Sequence, residues 1–316
     1  MATANSNWDA VLSTTLSNYV PRLEDNAFTA RALTYWLRSK DRIRKISGGA
    51  KIIVPIIHET NSTVGSYSGY DTITTTAQTG ISAAEYSWKQ LAVTVSINGL
   101  EEAQNRGEAE IIDLLEGKMM QAEETLSEKM DTMFFSDGTG NSGKDWLGLE
   151  HFVATTPTSG TVGGIDRSVG TNAFWRNSVN TTTEALTIGR MTNMFNTVSV
   201  GNDKPDFIIT TQTLFEKYES LLQPQLRLQD NKTADGGFQN LLFKSAPVMF
   251  DTNCTAGFMY FLNSRYIKLV AHQDVWFKTT PFVKPNNQDA RFAQILCYGN
   301  LTMSNCARQG KLTNKS

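Results

Sequence analysis

The sequence predicts an α+β protein in which an N-terminal arm and a long β-ribbon precede one long helix and a mixed α/β region. Three observations carry this prediction. The hydrophobic period is helical near residue 35, changes to strand-like alternation from Lys51, and is helical again from Glu108 to Phe135. Beyond residue 185, shorter helical and strand-like segments follow one another.

Residues 1–46 are expected to form the arm. Two short apolar stretches lie in it, the first interrupted by Pro21. They are Val11, Leu12, Leu16, Val20 and Leu23, and then Ala32, Leu33, Tyr35, Trp36 and Leu37. Apolar faces this short do not close a core alone, so we expect the arm to lie against another surface. Gly48-Gly49 then marks a break.

The ribbon is predicted from two apolar runs, Ile52–Ile57 and residues 88–97. Pro55 confines the first run to a sheet edge or a bulge. Residues 61–84, between the runs, are rich in Ser, Thr, Gly and Tyr and are too many for a hairpin turn. We therefore expect the two runs to pair as a long ribbon with a projecting polar loop, which requires a partner surface.

One long helix is predicted from Glu108 to Phe135. Seven apolar residues recur at spacings of three and four and so share one face. They are Ile111, Leu115, Met119, Ala122, Leu126, Met130 and Met133. The polar residues expected on the other face are Asp113, Glu116, Lys118, Glu124, Ser127, Glu128 and Asp131.

Shorter elements are expected in the rest of the chain. Residues 136–148 form a turn-rich connector. Helices are predicted at 185–198 and 214–222, strands at 205–211, 246–250, 258–262, 267–270 and 292–301, and a polar tail at 309–316.

Composition limits the classes of partner. With 29 basic and 31 acidic residues, the net charge is −2, and the one short basic cluster, residues 40–45, includes an acid. Sequence-specific nucleic-acid binding is therefore disfavoured, although weak, non-specific contact with nucleic acid is compatible with this charge. The sequence contains neither a secretory signal nor an apolar run of the ~18–20 residues that span a bilayer. We expect a protein that is made and kept in a cytoplasm.

Two segments resemble ligand-binding motifs, but each lacks a residue that the motif requires. Residues 138–144 match a phosphate-binding loop, but Asp145 follows where Ser or Thr should bind Mg²⁺, so a turn is expected. Asp137, Thr139 and Asn141 begin like a calcium loop, but Gly148 occupies the position of the bidentate Glu.

Histidines and cysteines give no signature either. His58, His151 and His272 have no zinc-binding spacing, and Cys254, Cys297 and Cys306 are expected to be buried apolar residues. Tyr67 occupies the nucleophile position of a Gly-x-x-x-Gly segment. We predict no catalytic, cofactor-binding or metal-binding residue, and no enzymatic activity.

The order of the elements resembles the major capsid proteins of tailed bacteriophages, which share the Hong Kong-type shell fold. Short stretches resemble these proteins as well, and their order along the chain carries the resemblance. They are SYSGYDT (66–72), WKQ (88–90), GLEE (99–102), DGTGN (137–141), GGIDRS (163–168), TTQ (210–212) and TPFVKP (280–285).

The resemblance implies a division of the chain. Residues 1–46 would be the N-terminal arm, and 47–100 the extended loop that overlies a neighbouring subunit. A peripheral domain would comprise 101–144 and 266–305, with the long helix as its spine. An axial domain at the capsomer centre would comprise 145–265 and 306–316.

The resemblance also implies partners. These are identical subunits in hexamers and pentamers, a portal, and separate scaffold or decoration proteins, with packaged DNA in weak contact. Some members cross-link through a loop lysine, but residues 61–88 contain no Lys, so loop-tip cross-linking is not expected. Because the chain begins almost at the arm, we expect any scaffold or protease to be a separate protein, or the chain to be already processed.

Three functions are therefore compared. The first is a major capsid protein whose shell encloses a phage genome within the virion. The second is an encapsulin-like compartment shell, for which the absence of a basic lining stripe is favourable. The third is an α/β enzyme or ligand-binding protein, which would need a closed pocket with converging titratable groups.

Overall fold

The computed structural model describes residues 31–104, 108–222 and 241–316. The first apolar stretch of the predicted arm lies outside these residues. The second is a helix, α1 (Ala32–Ser39), as predicted, and it buries Leu33, Trp36 and Leu37. Trp36 stacks on Phe207 with ring centroids 4.6 Å apart, so this part of the arm packs on the body of the molecule.

A five-stranded sheet contains the longest strands. In it β1 pairs with β12, β12 with β14, and β14 with both β13 and β4. The bounds are β1 (Ile43–Ile46), β4 (Lys89–Asn98), β12 (Ile267–His272), β13 (Lys278–Thr279) and β14 (Ala290–Met303). Strands β4 and β14 are antiparallel over ten residue pairs, from Ala290↔Asn98 to Gly299↔Lys89.

The predicted pairing of the ribbon is wrong in one respect. β2 (Ile52–Ile57) pairs with β3 (Ile81–Tyr86), in the segment expected to be loop, and the run at 88–97 pairs with β14 instead. Strand β3 has little apolar signal, since it reads Ile-Ser-Ala-Ala-Glu-Tyr. Two strands of matching alternation do not reveal which partner each takes, because pairing is decided by non-local packing.

The long helix, α3 (Glu108–Phe135), has the predicted bounds and packs against β4. Met119, Ala122, Leu126, Met130 and Met133 are buried as expected, whereas the side chains of Ile111 and Leu115 lie outside the described set. Glu124 and Glu128 are exposed as predicted.

Two residues of the predicted polar face are buried, and that part of the prediction is wrong. Ser127 and Asp131 are 7% and 0% exposed. The turn after the strand Ala246–Phe250 packs on this side of the helix, where Asn253 Nδ2 donates to Asp131 Oδ2 at 2.7 Å. A segment distant in sequence therefore covers a face that local periodicity assigns to solvent.

A six-stranded sheet has the order β7-β15-β11-β8-β10-β9. Its strands are β7 (Ser178–Asn180), β8 (Phe207–Thr210), β9 (Leu241–Phe243), β10 (Ala246–Phe250), β11 (Met259–Leu262) and β15 (Gly310–Leu312). Helices α6 (Ile188–Val198) and α7 (Gln212–Leu221) share an apolar core with it. The predicted helices and strands of this region are confirmed, with ends shifted by a few residues.

The polar tail has an unexpected position. The sequence predicts no element at 309–316, yet β15 lies between β7 and β11, where Lys311 is 0% exposed. This polar segment can be buried because the amines of Lys311 and Lys315 each form an ion pair with a carboxylate of the same chain.

Short elements complete the described chain. They are α2 (Gly99–Gln104), α4 (Gly140–Gly143), α5 (Leu149–Phe152), β5 (Thr161–Val162), β6 (Ile165–Asp166) and two 3₁₀ turns, at Gly170–Trp175 and Ser264–Tyr266. The turn predicted for 138–144 is confirmed: a helix precedes it, and Asn141 and Ser142 have positive φ. Among the described helices, none combines the length and the apolar character that crossing a membrane requires.

Candidate assembly surfaces

The β2–β3 ribbon is fixed firmly at its base. Lys51 and Glu85 form an ion pair of 2.6 Å, and Glu85 N donates to Gly163 O at 2.9 Å. The buried Tyr86 hydroxyl donates to Met303 O at 2.7 Å, and burial raises its pKa well above the usual value. Gly163 has φ of +59°, and a Cβ there would lie 2.8 Å from that of Ala84. The ribbon therefore leaves the body in one defined direction.

The two faces of the ribbon differ in burial although both carry apolar residues. Ile52, Ile56, Ala84 and Tyr86 are buried on the inner face. The outer face carries Ile53, Pro55 and Ile57 of β2 and, in register with them, Glu85, Ala83 and Ile81 of β3. Ile57 and Ile81 stand directly opposite each other and are 82% and 77% exposed. A paired isoleucine surface of this kind is typical of a face that another protein covers.

The loop beyond the ribbon, residues 58–80, is polar and exposed with large side chains at intervals. Some of its internal hydrogen bonds are local: Asn61 Oδ1 accepts from Thr63 N, and Asp71 Oδ2 accepts from Ser68 N, both at 2.8 Å. Others join its two sides, since Ser62 N and Oγ both donate to Gln78 Oε1 at 3.1 Å. The exposed large side chains are Val64, Tyr67, Tyr70 and Ile73. Nothing described in the chain covers them, so the loop presents an aromatic and apolar surface to solvent.

A cavity of about 560 Å³ lies at the base of the ribbon, between β4, the long helix and the turn at 138–145. Its charged lining residues are Lys89, Lys129, Lys144 and Asp145. Lys89 Nζ donates to Gly143 O, and Lys129 Nζ lies 3.6 Å from Asp145 Oδ2. With three ammonium groups and one carboxylate, the lining suits an anionic group.

Two carboxyl groups meet beside the long helix. Asp131 and Asp251 are 0% and 5% exposed, and Asp131 Oδ1 has no hydrogen-bond partner among the described residues. Burial, followed by the neighbouring Asp251 charge, raises the pKa of Asp131 to about 7, against which the Asn253 hydrogen bond acts. This pair joins the helix to the turn after β10 of the six-stranded sheet.

Two buried lysines hold β15 and the residues after it. Lys311 Nζ donates to both oxygens of Glu150 at 2.8 Å and lies over the rings of Phe258 and Tyr260. Burial lowers the pKa of Lys311, while Glu150 acts in the opposite sense. Lys315 Nζ donates to Glu184 Oε1 at 3.1 Å. These contacts satisfy the amines, so they serve folding rather than chemistry.

The residues noted in the sequence as possible ligands do not come together. Cys254, Cys297 and Cys306 are buried, as predicted, and form no disulfide with one another. His58 stacks on Phe174, and His272 packs edge-on against Trp88. Burial is the first cause that lowers the pKa of His151 to about 4. Over the described residues, no group of three or more His, Cys, Asp or Glu side chains is placed to hold a metal ion.

Sequence comparison alone does not place the chain. No protein-family model matches it, and no curated protein matches it.

Comparison with solved structures identifies proteins of similar fold. The capsid protein of cyanophage A-1(L) superposes with a TM-score of 0.66 and 17% identity, covering 87% of this chain and 90% of that one. The capsid of Myoviridae phage XM1 gives 0.56 and 12%, covering 88% and 91%. The SrpI encapsulin of Synechococcus elongatus gives 0.55 and 11%, covering 89% and 87%. The expected α+β phage capsid fold of the Hong Kong type is therefore confirmed over most of the chain.

Proposed function

We propose that this chain is the major capsid protein of a tailed phage and assembles into hexamers and pentamers that form an icosahedral head shell around the genome. The observation that carries the proposal is the outer face of the ribbon. A capsid fold in which Ile57 and Ile81 are exposed on a firmly anchored ribbon supports covering by a neighbouring copy. Its place would be the virion, after synthesis in the bacterial host cytoplasm.

In this proposal the parts of the chain have separate roles. The arm (1–46) and the extended loop (47–100) contact neighbours. The peripheral domain (101–144 and 266–305) contains the long helix and most of the five-stranded sheet, whereas the axial domain (145–265 and 306–316) contains the six-stranded sheet. Those two sheets support the division, because the chain returns to each of them after leaving it.

Further partners follow from the same role. A shell of this kind needs a portal for its genome, and scaffold or decoration proteins are expected to be separate chains. Contact with packaged DNA would be weak and non-specific, since the net charge is −2. The role is structural, without catalysis, cofactor or metal.

An encapsulin-like compartment is the second candidate. The fold similarity to the SrpI encapsulin favours it specifically. The two candidates differ in what the shell encloses: a genome in the first and protein cargo in the second.

Negative-stain electron microscopy of the purified full-length chain tests the proposal, with analysis of the particle contents. Closed shells, capsomer rings or tubes support an assembly protein. Nucleic acid in shells from infected cells then supports the capsid, and enzyme cargo supports the compartment. A chain that remains monomeric at all concentrations, also with the scaffold of its own phage, and binds a small molecule tightly contradicts both.

A further inference from the structure

We infer that the lysine-lined cavity at the base of the ribbon receives the loop tip of a second copy, with Tyr70 entering the cavity and Asp71 pairing with Lys144. This inference rests on the proposed function, because it names the contact by which neighbouring copies join. It assigns a binding partner to the turn at residues 138–145, which contains the glycines and Lys144 noted in the sequence.

The loop tip has the chemistry of an anchor. Ser68 N donates to Asp71 Oδ2, which fixes a tight turn and leaves Oδ1 without a hydrogen bond from the described residues. Tyr70 is fully exposed, and Tyr67 is largely exposed. Exposed tyrosines next to a charge are typical of residues that dominate interface energies once they are buried in a pocket.

The negative charge of the ribbon favours the lysine-lined cavity as its binding partner. Residues 52–88 contain no Lys or Arg, but they contain Glu59, Asp71 and Glu85. Glu85 is already paired with Lys51 at the base, so the outer part of the ribbon carries uncompensated negative charge. Complementary charge of this kind gives specificity and register to an interface.

The cavity provides the complementary charge. Lys89 and Lys129 each have a partner within the chain, whereas no hydrogen bond or ion pair from the described residues reaches the side chain of Lys144. Trp88 and Met133 line the same cavity and offer apolar contact to an aromatic ring. An ammonium group near the face of a tyrosine ring adds a favourable cation–π contact.

The position of the two surfaces makes the contact intermolecular. The ribbon is six residue pairs long, or about 20 Å at ~3.3 Å per residue. Its base is next to the cavity, and its loop tip lies beyond the other end. A loop tip at one end of the ribbon and a cavity at the other define a head-to-tail contact between copies. Such a contact forms a ring when the rotation from one copy to the next closes.

Cross-linking between separately tagged copies tests the inference. One copy carries Thr72→Cys beside the tip, and the other carries Gln90→Cys in the cavity lining, so Asp71 and Lys144 stay in place. The native cysteines are buried and will not react in the folded chain. A short bismaleimide reagent should join the two copies, and adding Lys144→Glu to the second copy should lower the yield at least tenfold.

Charge reversal and a matched control complete the test. Asp71→Lys on the first copy should restore the yield with the Lys144→Glu partner, whereas Lys204→Glu, an exposed lysine elsewhere, should leave the wild-type yield unchanged. A cross-link within a doubly substituted single chain, or a yield insensitive to Lys144→Glu, overturns the inference. So does loss of co-purifying nucleic acid with Lys144→Glu while the cross-link persists, because phosphate would then be the occupant. Shells that form without the cross-link overturn the inference alone. A chain that stays monomeric even with the scaffold of its own phage, and that binds a small molecule tightly, overturns the proposed function as well.

Discussion

The ribbon and the six-stranded sheet both depart from the usual rule that apolar side chains are buried and charged ones exposed. The ribbon exposes apolar side chains, and the sheet buries charged ones. On the outer face of the ribbon, Ile57 and Ile81 face solvent, whereas Lys311 and Lys315 are buried in and beside the sheet. Exposed isoleucines are unfavourable in an isolated chain unless something covers them, and buried lysines are unfavourable unless something pairs with them. In the sheet the partners are Glu150 and Glu184 of the same chain. For the ribbon the described chain offers no cover.

The difference distinguishes regions that complete their own interactions from regions that leave them to a neighbour. The six-stranded sheet has its own apolar core with two helices, and the buried Lys311 and Lys315 are paired with Glu150 and Glu184. The ribbon buries only its inner face, next to Gly163 and Tyr86. Changes in the sheet should therefore act on the stability of one chain, and changes on the ribbon should act on association.

The largest expected effect is on association. Ile57→Asp together with Ile81→Asp should abolish assembly, because covering two isoleucines contributes roughly 1.5–3 kcal/mol each and a carboxylate there would be desolvated. The free energy of unfolding of the single chain should fall by only about 1–2 kcal/mol, because the two carboxylates stand opposite each other and Asp is a poor strand former. Sedimentation and electron microscopy measure the first quantity and chemical denaturation the second. Val200→Asp, exposed and remote from the ribbon, is the control. Wild-type assembly by the double variant would contradict the claim that the outer face of the ribbon is an association surface.

Next in size is the loss of a buried ion pair. Lys311→Met should lower the free energy of unfolding by about 3 kcal/mol, since it leaves the Glu150 carboxylate without its amine. The matched control is Lys284→Met, which breaks an ion pair with Asp289 of similar length, 2.7 Å, but fully at the surface. There the loss should be much smaller, because solvent screens an exposed ion pair. Equal losses in urea unfolding would show that burial does not set the strength of the Lys311 pair.

Adjacent methionines on the long helix give a comparison without charge. Met119 is 1% exposed and Met120 is 51% exposed. Met119→Ala should therefore cost about 2–5 kcal/mol of unfolding free energy, and Met120→Ala less than about 0.5 kcal/mol. If Met120→Ala impairs assembly at unchanged stability, the exposed side of the helix belongs with the ribbon as a contact surface.

The smallest effect is pH-dependent and concerns the junction between helix and sheet. The pKa of Asp131 is raised to about 7 in the folded chain, from near 4 when unfolded. The folded state therefore binds the proton more tightly, and this contribution to stability is full below about pH 4 and is lost as the pH rises towards 7. Asp131→Asn should stabilise the chain at pH 8 by about 2 kcal/mol and flatten the decline between pH 5 and 7. Urea unfolding across this range checks it, with the exposed Glu128→Gln as control; an unchanged pH profile would show that Asp131 is ionised throughout.

Some features follow from local sequence alone. The bounds of the long helix are predictable from seven apolar residues on one face, because helical periodicity is a property of neighbouring turns. Likewise, Pro55 restricts β2 to a sheet edge, and β2 indeed pairs on one side only. The turn at 138–144 follows from its glycines and from the mismatch at Asp145.

Other features were settled by segments far apart in the chain. The partner of β4 is β14, almost two hundred residues later, and alternation in one strand carries no label for its partner. Asp131 is buried only because the turn at Asn253 packs over it.

The clearest division is in the final strand. By itself the sequence determined that residues 309–316 are polar and that residues 61–84 include few large aliphatic side chains. Only the tertiary structure decided that the first segment is buried and that the ribbon's isoleucines are exposed. The physical reason is that burial depends on what packs over a side chain: Lys311 binds Glu150 inside the fold, whereas Ile57 stands opposite Ile81 in the ribbon and both remain exposed.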